Sequence, residues 1–252
     1  MKLQIQELSK AFEWIELFKF MVQLNQYVTF MCTEKQLYIQ LMDDAHICLI
    51  DITIPSTWFS LYESTNQTFS VMTNILVKIF KLYTVDTTLE LIANDENEKL
   101  QINFINKKEQ KFFVINILDI EKDILSPALP DTKIDFIMKT KTFDKYVNEL
   151  AIFGDEAIIC CKDEKLYLKS NGDEGSIEIE IEGDNLEEFS VVENYKAETR
   201  YCLKYLQYIS KLHMIFPKIH LYLDSDTPLA ITFDNTLIVI KYYLAPKCDN
   251  NE

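Results

Sequence analysis

The chain has 252 residues, 48% of them hydrophobic, which is material for two domains of ordinary size or one large one. Its 40 acidic residues outnumber 25 Lys and Arg, and the net charge of −15 excludes a protein that coats nucleic acid over its whole surface, because phosphate binding needs clustered cations. Only four glycines occur (Gly154, Gly172, Gly175, Gly183), so neither a G-x-G-x-x-G nor a Walker-type phosphate loop can be written.

The start, MKLQIQELSK, lacks the apolar stretch of a secretory signal. Residues 9–24 carry helical apolar spacing, and with Glu13, Glu16 and Lys19 they are too short and too charged for a bilayer span. Strand-like runs follow at Tyr27 to Cys32, Gln36 to Leu41 and Cys48 to Ile54. A second helix is predicted over 71–83, where Ile75, Leu76, Ile79 and Leu82 form one stripe and Lys78 and Lys81 fall on another face. Residues 118–133, LDIEKDILSPALPDTK, contain Pro127 and Pro130 and read as an interdomain connector. Beyond it come a helix over 141–153, the strictly alternating strand SIEIEIE at 176–182, and a helix over 200–213. The alternation puts Ile177, Ile179 and Ile181 on one face and Glu178, Glu180 and Glu182 on the other.

The two halves match at a near-constant offset. EKQLYIQ at 34–40 parallels DEKLYLK at 163–169, and Phe12 parallels Phe143 at the start of comparable helices. Residues 75–104 parallel 206–233, with Leu82 opposite Leu212 and Leu100 opposite Leu229. These anchors stand 129 to 131 residues apart, as a duplication requires. The predicted domains are therefore 1–117 and 134–252, joined by 118–133.

Positive charge concentrates on the four predicted helices. Lys10, Lys19, Lys78, Lys81, Lys141, Lys145, Arg200, Lys204 and Lys211 stand against Glu13, Glu16, Asp144 and Glu149, a net +5, so the rest of the chain carries −20. Helices lining one concave surface would hold a duplex without reading its bases, while the acidic exterior repels it.

The six cysteines (Cys32, Cys48, Cys160, Cys161, Cys202, Cys248) have no C-x-x-C spacing, which suits reduced thiols in an intracellular compartment. They and the three histidines, His46, His213 and His220, have no metal-ligand spacing, and no Gly-x-Ser-x-Gly elbow is present. No metal, cofactor or enzymatic activity is expected.

Three segments carry a family resemblance. DSDTPLAITF at 224–233 with IKYYLAPK at 240–247 is similar to the last two strands of the proliferating cell nuclear antigen family, in which a near-identical YYLAPK closes the second domain. Tyr242, Tyr243, Leu244, Ala245, Pro246 and Lys247 all match. LYIQLMDDAHICLIDITI at 37–54 resembles the family's strand, Met-Asp-x-x-His turn and strand, and NELAIFGDEAIICC at 148–161 resembles the helix end and Gly-Asp turn of its second domain. The first helix, with Glu13, Trp14 and Glu16, departs from the family's usual lysines. The spacing of SPALP at 126–130 also departs from the family's connector.

The resemblance implies an α+β DNA clamp fold of two similar domains, each with two helices packed on antiparallel sheets, closing as a homotrimer into a six-domain ring. It implies a DNA polymerase processivity factor, a sliding clamp that encircles double-stranded DNA without sequence preference. Such a clamp tethers DNA polymerase, clamp loader and other replication or repair proteins through short peptides, in the nucleus or, for a viral member, at a cytoplasmic replication site. The alternative is a clamp-like checkpoint subunit or viral transcription accessory factor. The family's peptide groove maps to Met42, His46, Ile47, Leu49, Pro228, Tyr242, Leu244, Ala245 and Pro246, with Leu125 and Leu129 from the connector. Lys162 resembles the modifiable lysine of eukaryotic clamps, although a solvated turn lysine also explains it. Between subunits, a strand holding Lys108, Lys111, Phe113 and Ile115 is expected to meet the one holding Ile177, Ile179 and Ile181. Lysines at one edge and glutamates at the other would favour that pairing over self-pairing.

Overall fold

The computed structural model describes the chain except for residues 95–97, 121–123, 164, 194, 236 and 248–252. It forms two compact units: Met1–Asp44, Ile50–Leu125 and Asn235–Ile240 in the first; Ala45–Leu49, Ser126–Asp234 and the chain from Lys241 in the second.

The first half of the chain runs β1 (Lys2–Ile5), α1 (Leu8–Met21), β2 (Tyr27–Cys32), β3 (Gln36–Met42), β4 (Cys48–Pro55), β5 (Leu61–Glu63), β6 (Gln67–Met72), α2 (Thr73–Phe80), β7 (Thr88–Asn94), β8 (Lys99–Ile105) and β9 (Gln110–Asn116). The second runs β10 (Ile134–Lys139), α3 (Thr140–Leu150), β11 (Glu156–Lys162), β12 (Lys165–Gly172), β13 (Gly175–Ile181), β14 (Leu186–Val191), β15 (Ala197–Cys202), α4 (Leu203–Ser210), β16 (Lys218–Leu223), β17 (Leu229–Asp234) and β18 (Val239–Leu244).

The duplication is visible in the sheet order. The first half has strands in the orders β5-β1-β7-β8-β9 and β4-β3-β2-β6; the second has β14-β10-β16-β17-β18 and β13-β12-β11-β15. Each second-half order is the first-half order advanced by nine strands. Even single hydrogen bonds recur: Leu118 N–H donates to Ser70 O at 2.8 Å, and Lys247 N–H donates to Arg200 O at 2.8 Å.

Each helix forms because its apolar residues return every three or four positions and are buried together. α1 buries Ala11, Trp14, Leu17, Phe18 and Met21, and α3 buries Phe143, Tyr146, Val147 and Leu150. α1 packs beside α2 in the first unit and α3 beside α4 in the second. Fully burying a side chain such as Phe143 is worth about 1.5–3 kcal/mol. No glycine ends these helices; Val22, Lys81, Ala151 and Lys211 close them in helical backbone and donate back to the last turn.

The fourth helix starts later than its sequence pattern suggests, at Leu203, which moves Arg200 onto strand β15. There Ala197, Thr199 and Tyr201 are buried while Glu198 and Arg200 are exposed, a period of two imposed by antiparallel pairing with β11, where Arg200 lies opposite Ile158. Lys81 and Lys211 also fall just past the ends of α2 and α4, so within the observed bounds Lys10, Lys19, Lys78, Lys141, Lys145 and Lys204 stand against Glu13, Glu16, Asp144 and Glu149, a net +2 where the sequence pattern gives +5.

Candidate functional site

The helix cations divide into tied and free groups. On α1, Lys10 is half-buried, paired with Glu7 at 2.8 Å and 5.9 Å over the Trp58 ring; Lys19 pairs with Glu16 at 2.6 Å. Trp14, which stands among the family's usual lysines, is fully buried and packs 4.9 Å from Phe18 and 6.3 Å from Trp58. The first helix therefore supplies core and internal ion pairs. Lys78 and Lys81 on and just after α2, Lys141 on α3 and Lys204 on α4 are exposed and have no ion pair among the described residues. Lys204 lies 5.5 Å over the Tyr208 ring, and Lys145 is 3.7 Å from Glu149.

Lys211 belongs to a node that joins α3 to the end of α4. Asp144 Oδ1 accepts from Ser210 Oγ at 2.7 Å and from Lys211 Nζ at 2.8 Å, and His213 Nδ1 stands 3.8 Å from Asp144 Oδ2. Burial alone would raise the Asp144 pKa, but the hydrogen bonds from Lys211 and Ser210 outweigh it and hold the carboxyl below its ordinary value.

The residues mapped to the peptide groove sort by burial. In the second unit, His46, Leu129 and Pro228 are exposed and Ile47, Leu49, Ala245 and Pro246 half-buried; in the first, Met42 is half-buried and Leu125 exposed. His46 has φ +58°, the left-handed turn conformation. Ala245 N–H donates to Ile47 O at 2.8 Å, so the stretch entering β4 runs beside the end of β18. Tyr242 and Leu244 correct the expectation. Both are fully buried, and the Tyr242 hydroxyl donates to Tyr205 O on α4 at 3.2 Å, so they back the surface from inside. One pleat step along, Tyr243 reaches the connector instead, donating its hydroxyl to Pro127 O at 3.2 Å.

At the expected subunit edges, β9 and β13 each have one strand neighbour among the described residues. Phe113 and Ile115 on β9 and Ile177 and Ile179 on β13 are half-buried; Ile181 is buried. The charge complementarity expected there is weakened by pairs within the chain. Lys111 is held by Glu109 at 2.8 Å, Glu178 by Lys169 at 2.9 Å, and Glu180 by Lys165, because β12 and β13 register these lysines beside those glutamates. Lys108 stays exposed in the turn before β9. Phe112 (58% exposed) and Val114 (62% exposed) form an outward apolar pair on β9 that sequence reasoning missed, since their alternation with Phe113 and Ile115 does not say which row faces the core.

Models of the proliferating cell nuclear antigen N-terminal and C-terminal domains match residues 5–125 and 128–247. The chain belongs to that family. A probable DNA polymerase sliding clamp of Autographa californica nuclear polyhedrosis virus is 25% identical over 243 residues, covering 94% of this chain and 93% of the relative. Proliferating cell nuclear antigen 2 of Drosophila melanogaster is 22% identical over 223 residues, 87% of this chain and 88% of that protein. Among solved structures, the PCNA2–PCNA3 complex of Sulfolobus tokodaii matches with a TM-score of 0.85 at 24% identity, over 99% of this chain and 100% of the matched one, which establishes the clamp fold.

Cys32, Cys48, Cys160 and Cys161 are buried and Cys202 half-buried, and burial pushes the Cys32 pKa up to about 12. Cys248 lies outside the described residues. Lys162 is exposed at the end of β11, and no helix among the described residues is long and apolar enough to cross a membrane.

Proposed function

We infer that the chain is one subunit of a DNA sliding clamp, a processivity factor for DNA polymerase that holds its partners to a duplex by enclosing it. The observation that carries this reading is the pair of family domains spanning the chain, together with a duplicated topology in which β9 and β13 are both sheet-terminal strands among the described residues. β9 and β13 are the repeat counterparts of β18 and β4, whose adjoining segments are tied by the Ala245–Ile47 hydrogen bond. A second copy supplies the missing neighbour, with β9 of one subunit beside β13 of the next. The contact is head to tail, and three copies close a homotrimeric ring.

In this ring Lys78, Lys81, Lys141 and Lys204 face the duplex and touch phosphates, with Lys145 and Lys211 at the margins of the same surface. Binding is independent of base sequence because lysine-to-phosphate contacts carry no base information. Partners dock through a peptide whose aliphatic and aromatic anchors meet apolar surface, for which Ile47, Leu49, Leu129, Ala245 and Pro246 are the candidates in the second unit and the connector's Leu125 is the candidate in the first. Those partners include the polymerase, a clamp loader and repair proteins. The site of action is the nucleus, or a cytoplasmic replication site for a viral chain. Members of the family act without catalysing a reaction, and we extend that to this chain.

Retention on DNA tests the reading. A closed ring stays on a circular duplex at salt that strips it from a linear one, whereas equal loss from both would leave only electrostatic adhesion and favour a clamp-like subunit outside replication.

A further inference from the structure

We propose that Gln40 is a positioning residue that fixes the connector's docking surface by holding the backbone of Leu125; the inference rests on the peptide-docking reading above. Gln40 lies on β3 and is 7% exposed. Its Oε1 accepts from Leu125 N–H at 2.9 Å and its Nε2 donates to Leu125 O at 2.7 Å. One side-chain amide thus satisfies both backbone groups of a single connector residue 85 positions away, as a neighbouring strand would.

The amide cannot turn over without loss. Gln40 Nε2 also faces Asp51 Oδ1 at 2.8 Å and the Tyr38 hydroxyl oxygen at 2.9 Å, and the Tyr38 hydroxyl donates to Asp51 Oδ1 at 2.7 Å. A flipped amide would set its oxygen against the Leu125 carbonyl and the Asp51 carboxylate. Tyr38 and Asp51 therefore select the orientation that grips the connector.

With the backbone held, the side chains point away from the hold: Ile124 is 55% and Leu125 44% exposed. Fixing a residue of free chain costs backbone entropy. Apolar side chains on a backbone already tied present a surface for which an incoming peptide does not bear that cost. The occupant is the helical-turn peptide with aliphatic and aromatic anchors of the docking reading above, matched to the exposed apolar side chains of Ile124 and Leu125.

The test compares wild type with Gln40→Glu and Gln40→Leu in the full chain. Three measurements are made: amide exchange at Leu125, fluorescence anisotropy with a labelled helical peptide carrying aliphatic and aromatic anchors, and assembly mass by sedimentation. The Gln40→Glu change keeps the shape but sets an oxygen against the Leu125 carbonyl beside Asp51, and the Gln40→Leu change removes both bonds. Both variants are expected to lose protection at Leu125 and to bind the peptide about tenfold more weakly, with the assembly mass unchanged. Acidification from about pH 8 to about pH 5 restores binding in Gln40→Glu alone, because a carboxyl placed beside another carboxylate protonates early and then donates to Leu125 O. Protection retained in both variants, or protection lost with peptide affinity intact, overturns the proposal. A wild-type protein that ignores the peptide overturns the docking reading instead, and the exchange arm then decides separately whether Gln40 holds the connector.

Discussion

Replacing Asp144 by Asn separates two roles of one carboxylate, because it should weaken the fold and strengthen DNA binding together. The Asn oxygen still accepts from the Ser210 hydroxyl, whose oxygen lies 2.7 Å from Asp144 Oδ1, but the charge that restrains Lys211 at 2.8 Å is gone. The Lys211 side chain is 55% exposed, so solvent screening discounts the loss to about 0.5–1 kcal/mol. For a chain of this size that is roughly 1–4 °C in melting temperature. The folded carboxyl titrates below its ordinary value, so its stabilisation is complete above the unfolded pKa of about 3.9 and is lost as pH falls through the folded value. The melting gap between wild type and variant should therefore close on acidification. On the DNA side each subunit gains one positive charge and releases Lys211. Each Lys211 that reaches a phosphate steepens the log-affinity against log-salt slope by about 0.9. Anisotropy of a labelled duplex between about 50 and about 200 mM salt reads this slope. A variant that melts lower but binds DNA with an unchanged or shallower slope would refute a DNA-facing Lys211. An unchanged melting temperature would refute the node.

Ile177→Asp combined with Ile179→Asp puts charges on the half-buried row of β13 and should yield monomers in sedimentation at micromolar concentration. Lys108→Glu with Lys111→Glu should weaken assembly by less than about tenfold, since Lys111, Glu178 and Glu180 already have partners within the chain; full dissociation by the lysine variant would restore charge as the main determinant. Lys78→Glu with Lys81→Glu should abolish detectable duplex binding at moderate salt while leaving the assembly mass alone. Tyr242→Phe removes the hydroxyl that donates to Tyr205 O and should cost about 1 kcal/mol in a denaturant melt, with peptide affinity unchanged because the ring is in the core.

The amino-acid sequence by itself determined the duplicated α+β plan, the strand at Tyr27–Cys32 and the family, because hydrophobic period, repeat offset and the YYLAPK segment are local properties written along the chain. Tertiary structure decided what each site residue faces. Tyr242 and Tyr243 are adjacent in one motif, yet the first points to Tyr205 and the second to Pro127, a parity that only the sheet's packing sets. Arg200 sits in a stretch that also allows a helical reading, and pairing with β11 made it a strand residue. The edge glutamates looked free until β12 brought lysines beside them. The hold of Gln40 on Leu125 spans 85 residues and leaves no periodic trace, since a hydrogen bond between distant segments depends on where the sheets carry them and not on any spacing along the chain.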